Sequence, residues 1–490
     1  MGERVVLGSV LDMQLENAER VALDHAEVGF SAGAVSRIER GRERYLAYLQ
    51  KGQEYVYGST TAPGSRAKVT LSANDTKKQG GTLRTFMALQ AGPGGEMLPE
   101  RCVRLAIYSR LSNALTGHGK LSLATVQAVA DLLRAVPQVP MQSAACSGEI
   151  IPMTWLLNPL ADLPLGVGEA MALINGSPFA TAMACDVALT IKRRVRLAEM
   201  VFALSIEAAR CPLEHFDVRL GQFWPDPYYT QSLQRLQVLC AGMQWAPVDH
   251  QAPTSWRVLP NVLASALQAT DEVSRAATLG LQSLKDNPTY LFDDDDAASD
   301  VVVSSSGYHD HRAARAIDGV NTILVDLCVL ANKQVSRLLD GEGLGLPPLL
   351  TKAGDLVGLE YLAWASTEPL ALARGAAAAT TLDIALDDPA GNQSDVSSLA
   401  FVAYQKHRMA AHAFDRCLAS LAITTALALD CREGPRQRGL RVFQEQLLGF
   451  ARSASSRVNA VGAPMRQALE ALRHSADDIP SAGFEKLAQP

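Results

Sequence analysis

Long Ala- and Leu-rich segments with helical periodicity dominate the chain from about Val187 onward. Apolar residues that recur three and four positions apart predict α-helices. Several segments are apolar on more than one face, which is typical of helices in the centre of a bundle or between subunits. The pattern predicts a mainly α protein with a long central helical bundle and an obligate oligomeric state. The segments are RRVRLAEMVFALSIEAAR, NVLASALQATDEVSRAATLGLQSL, RAARAIDGVNTILVDLCVLANKQVSRLL, AGDLVGLEYLAWASTEPLALARGAAAA and VSSLAFVAYQKHRMAAHAFDRCLASLAITTALAL.

The first third of the chain has a different character. Its stretches QKGQEYVYGSTTAPGSRAKVTLS and KKQGGTLRTFMALQAGPGGEMLP are rich in Gly and Pro, which predicts loops and short extended pieces. With 490 residues, 48% of them hydrophobic, the chain has enough apolar material for a large core. We therefore predict a loop-rich N-terminal part over residues 1–190 and a helical oligomerisation part over residues 191–490.

The charge distribution disfavours nucleic acid and membrane partners. The chain has 45 Lys and Arg against 51 Asp and Glu, a net charge of -6, and no basic stripe that would attract a phosphate backbone. Charges at Glu3, Arg4, Asp12 and Glu16 interrupt the apolar run that a signal peptide needs. No uncharged apolar run of about 18 residues is present, so we expect a soluble, cytoplasmic protein.

Metal-binding patterns are absent from the sequence. The eight cysteines form neither CxxC pairs nor a regular spacing, which favours buried thiols over disulfides or a zinc site. His309 and His311 lack a third ligand at metal spacing. The acidic run Asp293 to Asp296 is typical of a solvated loop tip, because consecutive carboxylates repel one another and rarely converge on one ion.

Several polar segments stand where ordinary packing would not require them. The stretch SAACSGEIIP, Ser143 to Pro152, lies between two apolar segments, and its small residues predict a tight turn. Other such residues lie in VYGSTTAPG, EAMALINGSPFATAMA, QAPTSWRVLPNV and SSSGYHDH; they are Tyr57, Asn175-Gly176, Arg257 and Tyr308.

Taken in order, these segments resemble the motifs of the histidine and phenylalanine ammonia-lyase family. QSAACSGEIIPMTWL resembles the family's GSVGASGDLAPLAH, and EAMALINGSPFATA resembles its EGLALLNGT…STA. SLKDNP resembles SVSDNP, SSSGYH resembles SGGNFH, GLPPLL resembles GLPPFL and GNQSD resembles NQED. Six motifs in the family's order, from Tyr57 to Asp395, are far more specific than any one alone. The resemblance implies the mainly α ammonia-lyase fold and a homotetramer whose sites draw on more than one subunit.

The resemblance gives the Cys146-Ser147-Gly148 tripeptide a chemical meaning. In the family the corresponding Ala-Ser-Gly cyclises without help into a 4-methylidene-imidazol-5-one ring, with loss of two waters. Cys146 contributes its carbonyl, Ser147 becomes the exocyclic methylene, and Gly148 supplies the attacking nitrogen and the backbone freedom that the turn needs. The ring is an electrophile, which no ordinary side chain can be. Neither a metal nor an external cofactor is implied.

The resemblance also implies roles for side chains in catalysis and binding. Tyr57 corresponds to the base that removes the β-proton, Arg257 to the clamp on the substrate carboxylate, and Asn175 to the group that orients carboxylate and ring. The residues alone leave other interpretations open: Arg257 as a helix cap, Asn175-Gly176 as a bulge in a buried helix, and Tyr308 as core packing. Further pocket residues implied by the resemblance are Gln251, Tyr308 and Gln393.

The chain departs from the family at several positions. Glu149 stands where the family has Asp, and Thr254 replaces a second pocket Tyr in QAPTSWR. Leu89-Gln90 occupies the stretch that we align with the selectivity residues, and Ser394 replaces the Glu of NQE. The imidazole-binding pattern is therefore missing, which favours a substrate other than histidine.

These observations predict an enzyme that eliminates ammonia from an α-amino acid, a small-molecule substrate. Two alternatives remain open at this stage. The altered pocket could run a 2,3-aminomutase step or a specialised-metabolism elimination, or the chain could be a diverged scaffold that forms no ring.

Overall fold

The computed structural model describes residues 4–52, 55–71, 82–90, 95–143, 147–293, 299–351, 358–382, 396–432, 445 and 447–449. Of the residues singled out above, Cys146, Gln393 and Ser394 lie outside the described residues, as does most of the acidic run that begins at Asp293.

Helices dominate the described part of the chain, which confirms the predicted mainly α class. Some of them begin at a side-chain cap: Ser31 Oγ accepts from Ala34 N at the start of the second helix, and Asp226 caps a helix that begins with Pro227. The helices are α1 (Leu15–Ala22), α2 (Ala32–Gln50), α3 (Arg84–Met87), α4 (Glu100–Arg110), α5 (Ser112–Leu115), α6 (Leu123–Asp131), α7 (Ile150–Leu156), α8 (Glu169–Ile174), α9 (Pro178–Ala209), α10 (Pro227–Leu239), α11 (Thr254–Arg257), α12 (Leu259–Leu281), α13 (His311–Asp340), α14 (Tyr361–Ala376) and α15 (Ala400–Asp430).

Two small sheets accompany the helices. Strands β1 (Arg4–Leu7) and β2 (Glu27–Phe30) pair in parallel, and α1 forms the crossover between them. Strands β3 (Thr289–Leu291) and β4 (Val301–Val303) pair antiparallel, with Tyr290 opposite Val302. The described parts of the two Gly- and Pro-rich stretches form mostly loops and short helices, whereas the rest of the first third is largely helical and includes the 19-residue α2.

The chain forms two compact units, each built from three stretches of sequence. Unit 1 comprises residues 1–189, 272–317 and 379–405, and unit 2 comprises residues 190–271, 318–378 and 406–490. The division falls inside the long helices α9, α12, α13 and α15, which contain residues of both units. The sequential division at residue 190 stays a prediction, since it concerns continuous domains and these units are interleaved.

The core of unit 2 contains a buried polar chain among its apolar side chains. Trp256 is fully buried, and its Nε1 donates to Ser205 Oγ at 2.9 Å. Ser205 Oγ in turn donates to Gln334 Oε1 at 2.8 Å. These bonds satisfy polar groups that would otherwise be costly to bury. They fix the side chain of Trp256, the residue that precedes Arg257 in α11.

The apolar stretch from Glu169 to Ala209 is long and apolar enough to cross a membrane, but 94% of its most apolar window is buried inside the protein. Such burial is typical of a helix in a protein core, and a core helix can be as long and as apolar as a membrane-spanning one. Of the cysteines that the structure describes, all are free thiols and all but Cys431 are buried.

Candidate functional site

The ring-forming segment ends in a tight turn. Ser147–Glu149 forms a single 3-10 turn in which Gly148 has φ +74° and Glu149 has φ +52°. A Cβ atom at Gly148 would lie 2.3 Å from Asn175 Oδ1. Only glycine fits at this position, because it tolerates a left-handed φ and has no side chain.

Glu149 fixes the turn to the first residues of α9. Its Oε2 accepts a hydrogen bond from Phe179 N at 2.7 Å, and its Oε1 accepts one from Ala180 N at 2.9 Å. Burial raises the pKa of Glu149 to about 8, while the two N–H groups and Arg110 favour the carboxylate. Two N–H donors at the start of a long helix suit a negative charge. The longer Glu side chain therefore serves as a cap for α9.

Asn175 and Gly176 lie between α8 and α9 and contact the turn directly. Gly176 N donates to Gly148 O at 3.0 Å, and Asn175 Nδ2 donates to Asn287 O at 3.2 Å. Asn175 is buried. The structure thus brings together two of the motifs that the sequence separates by about 28 residues. The pair joins two helices, so it is not a bulge within one helix.

Tyr57 lies in a half-buried loop of unit 1 and accepts a hydrogen bond at its hydroxyl from Gly64 N at 2.8 Å. Burial raises the pKa of Tyr57; the Gly64 N–H opposes this shift, and Tyr55 and Tyr308 add to it. Tyr308 is also half-buried in unit 1. Tyr57 and Tyr308 thus belong to the same unit, and their roles in catalysis and binding stay predictions.

A cavity of about 60 Å³ adjoins the Tyr57 loop. Thr61 is fully buried, and its Oγ1 has no hydrogen-bond partner among the described residues. Gly58, with φ +66°, packs so closely that a Cβ would lie 2.6 Å from Met171 Cγ. The loop thus touches α8 at a glycine while leaving a small, partly polar space beside it, lined by Gly58, Ser59, Thr61, Phe86 and Met171 among others.

Leu89 and Gln90 follow α3 in the same unit. The Leu89 side chain is half exposed. Gln90 Nε2 donates to Thr154 O at 3.1 Å and lies 3.4 Å from Asn158 Oδ1. The amide nitrogen is therefore engaged by the protein, and the role of Leu89 and Gln90 in substrate binding stays a prediction.

Gln251, Thr254 and Arg257 belong to unit 2. All three are exposed in the isolated chain, whereas the intervening Trp256 is buried. Their implied roles as carboxylate clamp and pocket residues stay predictions.

A buried polar cluster beside the Gly148 turn was missed by the sequence reasoning. Arg110 is only 1% exposed. Its Nη2 donates to Asn175 O at 2.9 Å, and its Nη1 donates to Lys285 O at 3.1 Å. A Cβ on Gly176 would lie 2.3 Å from Arg110 Nη1 and 2.7 Å from Lys285 O. A signal existed in the sequence, since Arg110 ends a helix that is otherwise largely apolar after Arg104.

Two lysines complete the cluster. Lys285 Nζ donates to Ser112 Oγ at 3.0 Å and to Ser283 O at 3.2 Å, and burial lowers the pKa of Lys285 to about 7. Lys120 Nζ instead lies 3.1 Å from Asp286 Oδ2, and both side chains are fully buried. Lys285 stands where the family motif SVSDNP has Ser, which was a second signal.

No group of three or more His, Cys, Asp or Glu side chains that could hold a metal ion occurs in the described ranges. The candidate groups in the described part of unit 1 are a turn at Gly148 with a left-handed φ, the Tyr57 loop, and a buried cluster of cations and carboxylates.

Comparison with known proteins identifies relatives over nearly the full length. Residues 13–161 and 157–452 match the family described as aromatic amino acid lyase. Histidine ammonia-lyase of Caldanaerobacter subterraneus subsp. tengcongensis is 24% identical over 454 residues, covering 86% of this chain and 87% of that protein.

Solved structures share the fold. The ergothioneine-degrading enzyme ergothionase from Treponema denticola superposes with a TM-score of 0.84 at 17% identity, covering 97% of this chain and 100% of the other. Tyrosine aminomutase from Streptomyces globisporus superposes with a TM-score of 0.82 at 20% identity, covering 96% and 97%. The similarity therefore spans both units.

Proposed function

Because the chain belongs to the aromatic amino acid lyase family, whose members are ammonia-lyases and aminomutases, we propose that it eliminates ammonia from an α-amino acid through a ring formed by Cys146, Ser147 and Gly148. The observation that carries this proposal is the turn at Gly148. Its left-handed φ and its bond from Gly176 N present a backbone that only glycine can adopt.

The 4-methylidene-imidazol-5-one ring supplies an electrophile for the substrate amine. The remaining steps belong to ordinary side chains. Tyr57 takes the proton from the substrate β-carbon, and the Gly64 N–H stabilises the phenolate because it donates to that oxygen. Arg257 binds the substrate carboxylate with its guanidinium fork. Ammonia and an α,β-unsaturated acid result.

The substrate side chain is proposed to be something other than the imidazole of histidine. Leu89 and Gln90 provide an apolar surface and one amide oxygen, which suits a side chain with a single donor group. Histidine nevertheless belongs in the assay panel, because relatives at 24% identity are histidine ammonia-lyases.

Assembly is part of the proposal. Gln251, Thr254 and Arg257 are exposed on unit 2, and a homotetramer would let such residues complete the site of another subunit. We propose a soluble, cytoplasmic homotetramer. Light scattering of the purified protein measures the assembly, and a stable monomer with full activity would contradict it.

The decisive experiment follows the mass of the tryptic peptide that carries Ser147. Wild type is expected to lack two waters and to absorb ultraviolet light as the ring does, whereas Ser147→Ala keeps the full mass and loses activity. Ser143→Ala is the matched control, because Ser143 is a buried serine of the same segment that donates to Pro140 O. A full-mass peptide in active wild type would overturn the ring.

A panel of α-amino acids then separates the reactions. An unsaturated acid as product supports elimination, whereas a β-amino acid shows an aminomutase. Absence of both products with every substrate, together with a full-mass peptide, would instead identify a scaffold without catalysis.

A further inference from the structure

We propose that Arg110 is a positioning residue for ring closure, which it serves by holding the Asn175-Gly176 backbone against Gly148. This inference rests on the proposed function, because it concerns how the ring forms. Among the described residues, Arg110 donates to the carbonyls of Asn175 and Lys285 rather than to Ser147 or Gly148, and it acts through the backbone next to the turn.

Two hydrogen bonds connect Arg110 to Gly148 through the peptide unit between Asn175 and Gly176. Arg110 Nη2 donates to Asn175 O at 2.9 Å, and the next residue, Gly176, donates from its N–H to Gly148 O at 3.0 Å. Asn175 Oδ1 occupies the place of a Cβ on Gly148. The position of Gly148 is thus set by a peptide unit whose carbonyl Arg110 holds.

Arg110 fixes this peptide unit relative to a second, distant segment. Its Nη1 donates to Lys285 O at 3.1 Å, and Asn113 Nδ2 donates to the same carbonyl at 2.8 Å. Lys285 N donates to Asn113 Oδ1 at 2.7 Å. Asn113 therefore binds both the N–H and the C=O of Lys285. Because this carbonyl is fixed, it orients the guanidinium of Arg110, whose other nitrogen donates to Asn175 O.

An arginine is specifically suited to this task. Its planar fork can donate to two carbonyls at once, whereas a lysine ammonium is a point donor on a flexible stem. The guanidinium packs closely against Gly176, because a Cβ there would meet Arg110 Nη1 at 2.3 Å. Burial lowers the pKa of Arg110 to about 10, while Asp286 and Glu149 favour its cationic form.

Ring closure depends steeply on such positioning. The Gly148 nitrogen forms a bond to the Cys146 carbonyl carbon. The carbonyl oxygen then leaves as water with the Gly148 and Ser147 amide hydrogens. The second water takes the Ser147 hydroxyl and its Cα hydrogen, so that atoms balance without an oxidant. A displacement of about 1 Å in an intramolecular reaction can cost on the order of 100-fold in rate.

The chain offers a matched control on the same helix. Arg104 is also buried in α4, and it also donates to two distant carbonyls, Val21 O at 2.7 Å and Leu133 O at 2.9 Å. Neither of these carbonyls contacts Gly148. Replacement of Arg104 by lysine therefore reproduces the structural cost without disturbing the turn.

The experiment measures the rate at which freshly folded, size-selected protein loses two waters, by intact mass over time. Arg110→Lys is expected to close the ring at least about tenfold more slowly than Arg104→Lys, while both retain similar melting temperatures. Should Arg110→Lys not fold, Arg110→Gln offers one short amide donor in place of the two-pronged guanidinium and is expected to slow closure likewise.

The outcomes are distinguishable. Closure in Arg110→Lys at the rate of Arg104→Lys would overturn the positioning role and leave the proposed function standing. A wild type that never loses water would overturn the proposed function, and this inference with it.

Discussion

The turn at Gly148 and the loop of Tyr57 lie in the same unit but are held in opposite ways. The turn is fixed by contacts between distant parts of the sequence. Arg110 donates to Asn175 O, 65 positions later in the chain, and to Lys285 O, 175 positions later. The Tyr57 hydroxyl is held within its own loop, by Gly64 seven positions on, next to a cavity of about 60 Å³. The contrast teaches that the turn depends on contacts between distant parts of the chain, and on the proposed function ring formation would depend on them too, whereas the Tyr57 hydroxyl is held by a contact within its own loop.

The largest effect that separates the two regions is expected from Tyr57→Phe. Loss of the general base should lower kcat by about 10²- to 10⁴-fold, while the peptide of Ser147 still lacks two waters. Because burial raises the pKa of Tyr57, its basic form grows with pH, and wild-type activity should rise with pH through the neutral range. The substitution should abolish that rise. Steady-state kinetics across pH measures both effects.

Tyr55→Phe is the control for this prediction, because Tyr55 is an exposed tyrosine two residues earlier. It should retain most of the rate and still show a rise of activity with pH, although it removes one of the smaller contributions that raise the pKa of Tyr57. Equal losses in the two variants would place the base elsewhere.

A second prediction concerns the buried cluster. The pKa of Lys285 is depressed by burial from 10.5 to about 7, so the unfolded chain binds one more proton than the folded one between these values. Wild-type stability should therefore be lost as pH falls from about 10 to 7, by about 1.4 kcal/mol per pH unit. Lys285→Met should lack this contribution, as chemical unfolding at each pH would measure.

Lys120→Met provides the contrast within the cluster. It leaves Asp286 buried without its ion-pair partner, and removing one member of such a pair costs about 3–5 kcal/mol. At pH 7 this variant should be much less stable than Lys285→Met. A stability difference between Lys285→Met and wild type that stays constant from pH 7 to 10 would show that Lys285 does not titrate there.

The smallest effect is expected from Gln90→Leu on the loop side. The substitution removes a hydrogen bond of a half-buried amide to Thr154 O, which should cost about 1 kcal/mol of stability. For substrates with a polar side chain, KM should rise up to about tenfold, with kcat little changed. Gln127→Leu is the control, as Gln127 donates to Asp131 within α6. A large loss of ring content in Gln90→Leu would erase the distinction between the two regions.

Sequence periodicity was sufficient to predict the helical class, because long apolar faces leave few alternatives to helix packing. The ordered motifs also identified the turn at Gly148 and its neighbour Asn175. Arg110 could not be assigned a role in this way, since its partners lie far away in the sequence and are backbone carbonyls, which carry no residue-type signature. Lys285 was visible only as a departure from SVSDNP. The interleaving of the two units also leaves no mark in composition.

Glu149 caps α9 through the N–H groups of Phe179 and Ala180, and it directly follows Gly148. The shape of the turn thus exists only once the first residues of α9 are in place. On the proposed function, folding must precede chemistry. A newly synthesised chain would contain an ordinary Cys-Ser-Gly sequence and would be inactive until it had folded. Its reactive group would appear only after the thiols that the structure describes, all buried except Cys431, had been enclosed in the folded protein.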